Sequence, residues 1–163
     1  MGLELFRIDD RLIHGQVVVG WGQPLDVGFV VLVDDEVAAS EWEQELYRMG
    51  VPPDMDVFFE SVDSAARALP TYVADPRPGI LLTGDVDTMC RLVAATDSIT
   101  CVNVGGIHHR AGRTERMRYV FLAPDEEAAL VALSKRGVDV TAQDLPSSRP
   151  VPLASVLDGS SKE

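Results

Sequence analysis

Between Arg7 and Gln16 the chain reads Arg-Ile-Asp-Asp-Arg-Leu-Ile-His-Gly-Gln, which sets one imidazole in a short stretch of fixed charge. His14 has the Arg11 guanidinium three residues before it, the carboxylates of Asp10 and Asp9 four and five before it, and Gly15 beside it. A neutral imidazole keeps a free lone pair; it can attack phosphorus, or move a proton as a general acid or base. Phosphoryl transfer asks the protein for alignment and for neutralisation of the phosphoryl oxygens more than for covalent chemistry. Arg11 can give those oxygens a bidentate donor, and the free N–H groups opening a helix at Gly15 can give a second set. Asp9 or Asp10 can hold Arg11, or fix the imidazole tautomer by accepting its other N–H. A histidine that only caps or packs accounts for the same position.

Positioning such a group takes a corner between elements. Residues 3–6 read as a strand and 15–23 as a helix, so His14 falls where an α/β protein presents a reactive side chain to a ligand. The rest of the chain repeats the alternation. Residues 27–33 are a continuous apolar run, the mark of a central parallel strand, and end at Asp34-Asp35. Residues 38–49 have helical spacing, with Trp42, Leu46 and Met49 on one face and Gly50 closing the segment. A short strand at 56–60, a helix at 61–72 capped by Ser61 or Asp63, a strand at 79–84 and a helix at 86–95 follow. Strands at 99–104 and 119–122 precede a helix at 124–136 with Pro124 in its first turn, and 138–142 is a last strand. The pattern predicts an α/β fold: a doubly wound, mostly parallel sheet of about seven strands with helices on both faces. Residues 1–146 form the domain, and 147–163 form a loosely packed, Ser- and Pro-containing tail with a frayed end.

Composition narrows the partners. At 163 residues the chain is one domain, and 46% hydrophobic with 25% charged residues is ordinary for a globular protein. No apolar run nears the roughly 20 residues that cross a bilayer, and Glu4 and Arg7 interrupt the start, so the expectation is a cytoplasmic protein without membrane insertion. A net charge of −12 argues against nucleic acid. Cys90 and Cys101 lie in apolar stretches and are expected to be reduced, buried packing residues.

Three features fall at the carboxyl ends of strands: the Asp9–His14 loop, Asp34-Asp35, and Asn103-Val104-Gly105-Gly106. The glycine pair either makes a turn or lets backbone N–H groups approach an anion. Just beyond it, Arg110, Arg113, Arg116 and Arg118 share a segment whose one acid is Glu115. That local cationic island suits a small anion or an acidic partner, and a solvated basic loop accounts for it too. Adjacent His108 and His109 project in different directions from extended backbone and lack an ordered set of co-ligands, so no metal is expected. Neither a G-x-S-x-G elbow nor a Gly-rich nucleotide loop is present.

The stretch from Phe6 to Val17 closely resembles the signature of IIB components in the mannose/fructose/sorbose family of the bacterial phosphoenolpyruvate:sugar phosphotransferase system. Asn103-Val104-Gly105-Gly106 and the stretch from Gly137 to Pro146 extend the resemblance over nearly the whole domain. It implies a phosphocarrier whose His14 takes a phosphoryl group on Nδ1 from the phosphohistidine of a IIA protein. The group then passes to a sugar held by the membrane components IIC and IID. The resemblance, with the basic and glycine-rich loops, makes Asp9, Arg11, Gly15, Asn103, Gly105, Gly106 and Arg110 the expected phosphate-binding set, with no metal or organic cofactor. His108-His109 departs from the family's usual sequence. A phosphorylation-dependent regulatory module on the same scaffold is the alternative. A small enzyme using His14 as general acid/base on a phosphorylated metabolite is a third.

Overall fold

The computed structural model describes residues 2–158. Strand β1 (Gly2–Ile8) leads through the histidine loop into a single π-helix (Gln16–Trp21). Then come β2 (Phe29–Val33), α1 (Asp35–Ala38), α2 (Glu41–Met49), β3 (Asp56–Glu60), α3 (Val62–Val73), β4 (Pro78–Thr83) and α4 (Val86–Ala94). The second half holds β5 (Cys101–Val104), β6 (Thr114–Met117), β7 (Val120–Leu122), α5 (Pro124–Lys135), β8 (Asp139–Ala142), β9 (Val151–Pro152) and α6 (Leu153–Leu157).

The main sheet has seven strands in the order β3-β2-β4-β1-β5-β8-β9. Every neighbouring pair in it is parallel except β8 and β9. From β1 the chain crosses to β2 and β3, returns to fill the gap as β4, and then passes to the far side of β1 as β5. The strand order therefore reverses around β1, and such a reversal opens a crevice at the carboxyl ends of the strands. His14 follows one of those ends.

Strand β2 shows why its sequence is apolar throughout. Phe29, Val31 and Val33 join the core beneath α3, α4 and α5, whereas Val30 and Leu32 join a second core beneath the π-helix with Val17, Val18 and Trp21. Both faces are covered, so neither residue parity can be polar. Side-chain oxygens of Asp34, Ser40, Ser61 and Asp85 accept the first free N–H groups of α1 to α4 in turn.

Several expectations are corrected. The helix expected at 38–49 starts only at Glu41, where Ser40 caps it, and Ala38 instead ends the separate short helix α1. Residues 120–122 pair antiparallel with β6 in a separate two-stranded sheet, and β9 takes the seventh place in the main sheet. Part of the stretch expected as a loose tail is packed: β9 pairs with β8, and α6 buries Leu153 and Val156. The frayed end expected at 159–163 lies outside the described residues. Cys90 is only half-buried and Cys101 is exposed, because β5 meets β1 only at Asn103 and Val104. Below that contact an open groove lined by Glu4, Leu5 and Phe6 reaches Cys101.

Candidate functional site

The loop after β1 is built on a buried ion pair. Arg7 and Asp9 are both fully buried, with Nη2 of Arg7 3.4 Å from the Asp9 carboxylate. A buried guanidinium is costly unless its donors are answered; here both terminal nitrogens are, while Nε has no partner. Arg7 donates to the side-chain oxygen of Asn103 and to the backbone carbonyls of Gln143 (2.8 Å) and Asp144 (3.2 Å). Its guanidinium also lies 5.0 Å from the centroid of the Trp21 ring. One side chain thus ties β1 to β5, to the segment after β8 and to the π-helix.

Asp9 faces the other way as well. Its carboxylate accepts the Arg11 backbone N–H at 3.2 Å and lies 3.6 Å from the Arg11 side chain and 3.3 Å from Nε2 of His14. Burial pushes this carboxyl up; the approach of His14, the charge of Arg7 and the Arg11 N–H outweigh it and hold the group below the usual carboxylate range. For Arg7, burial lowers the pKa, and the neighbouring Asp9 opposes that fall.

A carboxylate only accepts, so the imidazole nitrogen facing Asp9 carries the proton. At 3.3 Å the pair is within ion-pair range, though Nε2 is buried and lacks an aligned hydrogen bond. The lone pair then belongs to Nδ1, which accepts the Gln16 backbone N–H at 3.3 Å. The imidazole is 17% exposed, reachable but held from both sides. The His14 carbonyl receives the N–H groups of both Val17 and Val18. Gly22 N–H then reaches back five residues to Val17, giving the wide π turn. Three consecutive valines crowd an α-helix, and the wider spiral relieves them. Leu12, two residues before His14, has φ +59° with its side chain buried, a left-handed conformation that costs free energy and is kept by the packing around it.

Arg11 is 43% exposed and is steered by Gln16, whose side-chain oxygen accepts its Nη2 at 2.8 Å. Gln16 is itself fixed by the Asp144 carboxylate and backbone carbonyl. The Asp144 carbonyl gathers Arg7, Gln16 and the indole N–H of Trp21. Gln143 also accepts from the Asn103 amide. Sequence reasoning had Arg7, Gln16, Gln143 and Asp144 inside its motifs without choosing them as site residues. A lone arginine within an apolar strand was the available signal, since a charge there requires partners.

The second motif lies beside the loop. β1 and β5 align Arg7 with Asn103, and the Asp10 N–H donates to the Gly106 carbonyl. Asn103 is engaged by Arg7 and Gln143. A Cβ on Gly105 would sit 2.3 Å from Nη2 of Arg7, so this glycine gives the guanidinium its room. Gly106 lies under Asp9, Arg11 and His108. Gly15 is the residue before the π-helix, and a side chain there would meet open space.

Arg110 is placed elsewhere. It lines an open cleft of about 390 Å³ with Asp85, Asp87 and Glu126, and it makes no bond to the His14 loop among the described residues. Two of the four arginines of the cationic island are neutralised in three dimensions: Arg113 forks onto Glu126, and Arg116 onto Glu127, both acids of α5. Asp34 and Asp35 are engaged as well, Asp34 by the α1 N-terminus and Asp35 by Arg91 and the Val62 N–H. The two neighbouring histidines part company. Asp10 accepts from the backbone N–H of His108 and meets its Nδ1 at 2.6 Å, while His109 sets its edge against Phe121.

Comparison with known proteins follows this geometry. The family described as PTS system sorbose subfamily IIB component matches residues 3–163. The chain is 33% identical over 163 residues to the PTS system mannose-specific EIIAB component of Escherichia coli (strain K12), covering 97% of this chain and 50% of that one. It thus spans about half the length of that relative. It is 31% identical over 160 residues to the PTS system sorbose-specific EIIB component of Klebsiella pneumoniae, with 97% and 94% covered. Among solved structures, the crystal structure of manxB from Thermoanaerobacter tengcongensis superposes with a TM-score of 0.86 at 32% identity, over 96% of this chain and 95% of that one. Among the described residues no helix is long and apolar enough to cross a membrane.

Proposed function

Because the chain belongs to the sorbose subfamily of phosphotransferase-system IIB components, we propose that it is a phosphocarrier that receives a phosphoryl group on Nδ1 of His14. IIB components of this system are phosphotransferases. The donor in this reading is the phosphohistidine of a IIA protein, the acceptor a sugar held by a IIC/IID permease, and the exchange takes place on the cytoplasmic side. One observation carries it: Nε2 of His14 faces the buried Asp9 carboxylate, while Nδ1 faces the Gln16 N–H.

The transfer balances without a proton relay. The Nδ1 lone pair attacks phosphorus, a P–N bond forms at His14, and the P–N bond of the donor histidine breaks with its electron pair returning to that nitrogen. His14 keeps its Nε2 proton, so the phosphorylated ring is cationic, and the ionised Asp9 beside it offsets that charge. Attack releases the Gln16 N–H from Nδ1, leaving it free for a phosphoryl oxygen as backbone N–H groups at helix starts are. Arg11, steered by Gln16, is the mobile cation for the other oxygens. In the second transfer a sugar hydroxyl oxygen attacks phosphorus, the P–N bond at His14 breaks with its electron pair returning to Nδ1, and the hydroxyl proton passes to a base on the permease side, where the sugar is held.

The test is incubation with phosphoenolpyruvate, the general phosphotransferase proteins and a IIA partner, with mass spectrometry at His14. Acid-labile label at His14 in the native chain, and none in His14→Ala, is the expected outcome. Label retained by His14→Ala rejects the assignment.

A further inference from the structure

Helix α2 turns its apolar side outward. Trp42, Leu46 and Met49 are 71%, 50% and 80% exposed, and spacing of i, i+4 and i+7 sets them on one ridge. None of its nine residues is buried. The helix is held by Gln44 donating to the Val37 and Ala38 carbonyls, by its Ser40 cap, by Tyr47 against the second core and by the Arg48 guanidinium over the Phe59 ring. Single exposed apolar side chains are ordinary; a contiguous ridge of three large ones marks an interaction surface.

The surrounding charge selects the occupant. From residue 34 to residue 49 the chain has six acids against one base, Arg48, which pairs with Glu45. Glu36, Glu41 and Glu43 have no cationic partner among the described residues. A second copy would bring two such rims together on chains of net charge −12. An anionic lipid surface would repel the ridge for the same reason. A basic protein surface with an apolar groove fits. Membrane proteins present that character on the cytoplasmic side, where their loops carry an excess of Lys and Arg. Position agrees with this. Helix α2 runs from the carboxyl end of β2 back toward the start of β3, so its first turn, with Trp42, lies toward the side of the sheet from which the His14 loop emerges.

We propose that the Trp42–Leu46–Met49 ridge and its acidic rim form the surface by which this chain docks on the cytoplasmic loops of its sugar permease. The identity of the partner rests on the phosphocarrier reading above. Docking there holds the chain by α2 and leaves the His14 loop uncovered on the adjoining edge.

The indoles provide a direct readout, because Trp21 is 4% exposed and Trp42 is 71% exposed. Proteoliposomes carrying the IIC/IID permease of the same system should shift the emission of Trp42 to the blue, and vesicles of the same lipids without permease should not. The triple variant Trp42→Ala, Leu46→Gln, Met49→Gln should bind permease roughly tenfold or more weakly, as loss of a tryptophan anchor does, while taking phosphoryl groups from IIA at the native rate. Glu41→Lys with Glu43→Lys should weaken binding separately. Native-like permease binding by the triple variant overturns the proposal. So does equal binding to empty vesicles, self-association through the ridge in sedimentation, or a defect confined to uptake from IIA. Permease binding is read on unphosphorylated protein, so a chain that takes no phosphoryl group at all rejects the phosphocarrier reading without deciding the ridge.

Discussion

Two neighbouring carboxylates each hold a histidine, and they do so at different depths. Asp9 is fully buried against a His14 that is 17% exposed; Asp10 is 24% exposed against a His108 that is 60% exposed. The shallower pair is the shorter, at 2.6 Å against 3.3 Å. The nitrogens are exchanged too: Asp9 faces Nε2 and leaves Nδ1, whereas Asp10 faces Nδ1 and leaves Nε2. Distance ranks these pairs in one order and energetics in the other. Water screens the Asp10–His108 contact, while Asp9 has Arg7 and His14 as partners in a site from which water is largely excluded. Depth, not distance, separates the two pairs.

The sharpest way to break this comparison is to neutralise each carboxylate. Asp9→Asn leaves the Arg7 charge buried without its counter-ion and should cost about 3–5 kcal/mol of stability, with phosphoryl uptake at His14 falling by roughly a hundredfold or more. Urea unfolding and a timed labelling assay measure the two. The stability gap should depend on pH. Because the folded-state pKa of Asp9 is lowered, its contribution is complete above the ordinary carboxylate value and is lost as pH falls through the folded value. Native protein and variant should thus differ most above the ordinary carboxylate value and converge only as pH falls through the lowered folded value of Asp9.

Gly105→Ala tests the same pair from below. The added methyl carbon would fall 2.3 Å from Nη2 of Arg7, so the guanidinium must move or the strand must shift. A loss of about 1–3 kcal/mol with slower labelling is expected; unchanged stability would show that Arg7 has slack. The smallest effects belong to the shallow pair. Asp10→Asn and His108→Ala should each change stability by about 0–1 kcal/mol and leave labelling at His14 within roughly threefold. A loss comparable to that of Asp9→Asn would erase the contrast.

Much of the framework was legible because it is local. Apolar runs, caps and punctuation located the strands and helices of the parallel sheet to within a few residues, and the charged loop was plain at Asp9, Arg11 and His14. What escaped notice depends on partners far away in the chain. The Gln143 and Asp144 carbonyls meet Arg7 across more than 130 residues, so a charge inside a strand could be noticed but its partners could not. The basic residues at 110–118 looked like one cationic surface because the acids that neutralise Arg113 and Arg116, Glu126 and Glu127, belong to the next helix. Gly105 suggested space for an anion and instead makes space for Arg7. The π-helix in place of an α-helix turns on a hydrogen bond from Gly22 N–H back to the Val17 carbonyl, which residue types only hint at.

The fan of donors from Arg7 has a consequence in time. Arg7 and His14 are made well over a hundred residues before Gln143 and Asp144, which hold two acceptors of Arg7 and the anchor of Gln16. The loop that carries His14 cannot acquire its final setting until synthesis has passed Asp144 and β8 has docked beside β5. A nascent or truncated chain therefore carries the histidine without the frame that aims it.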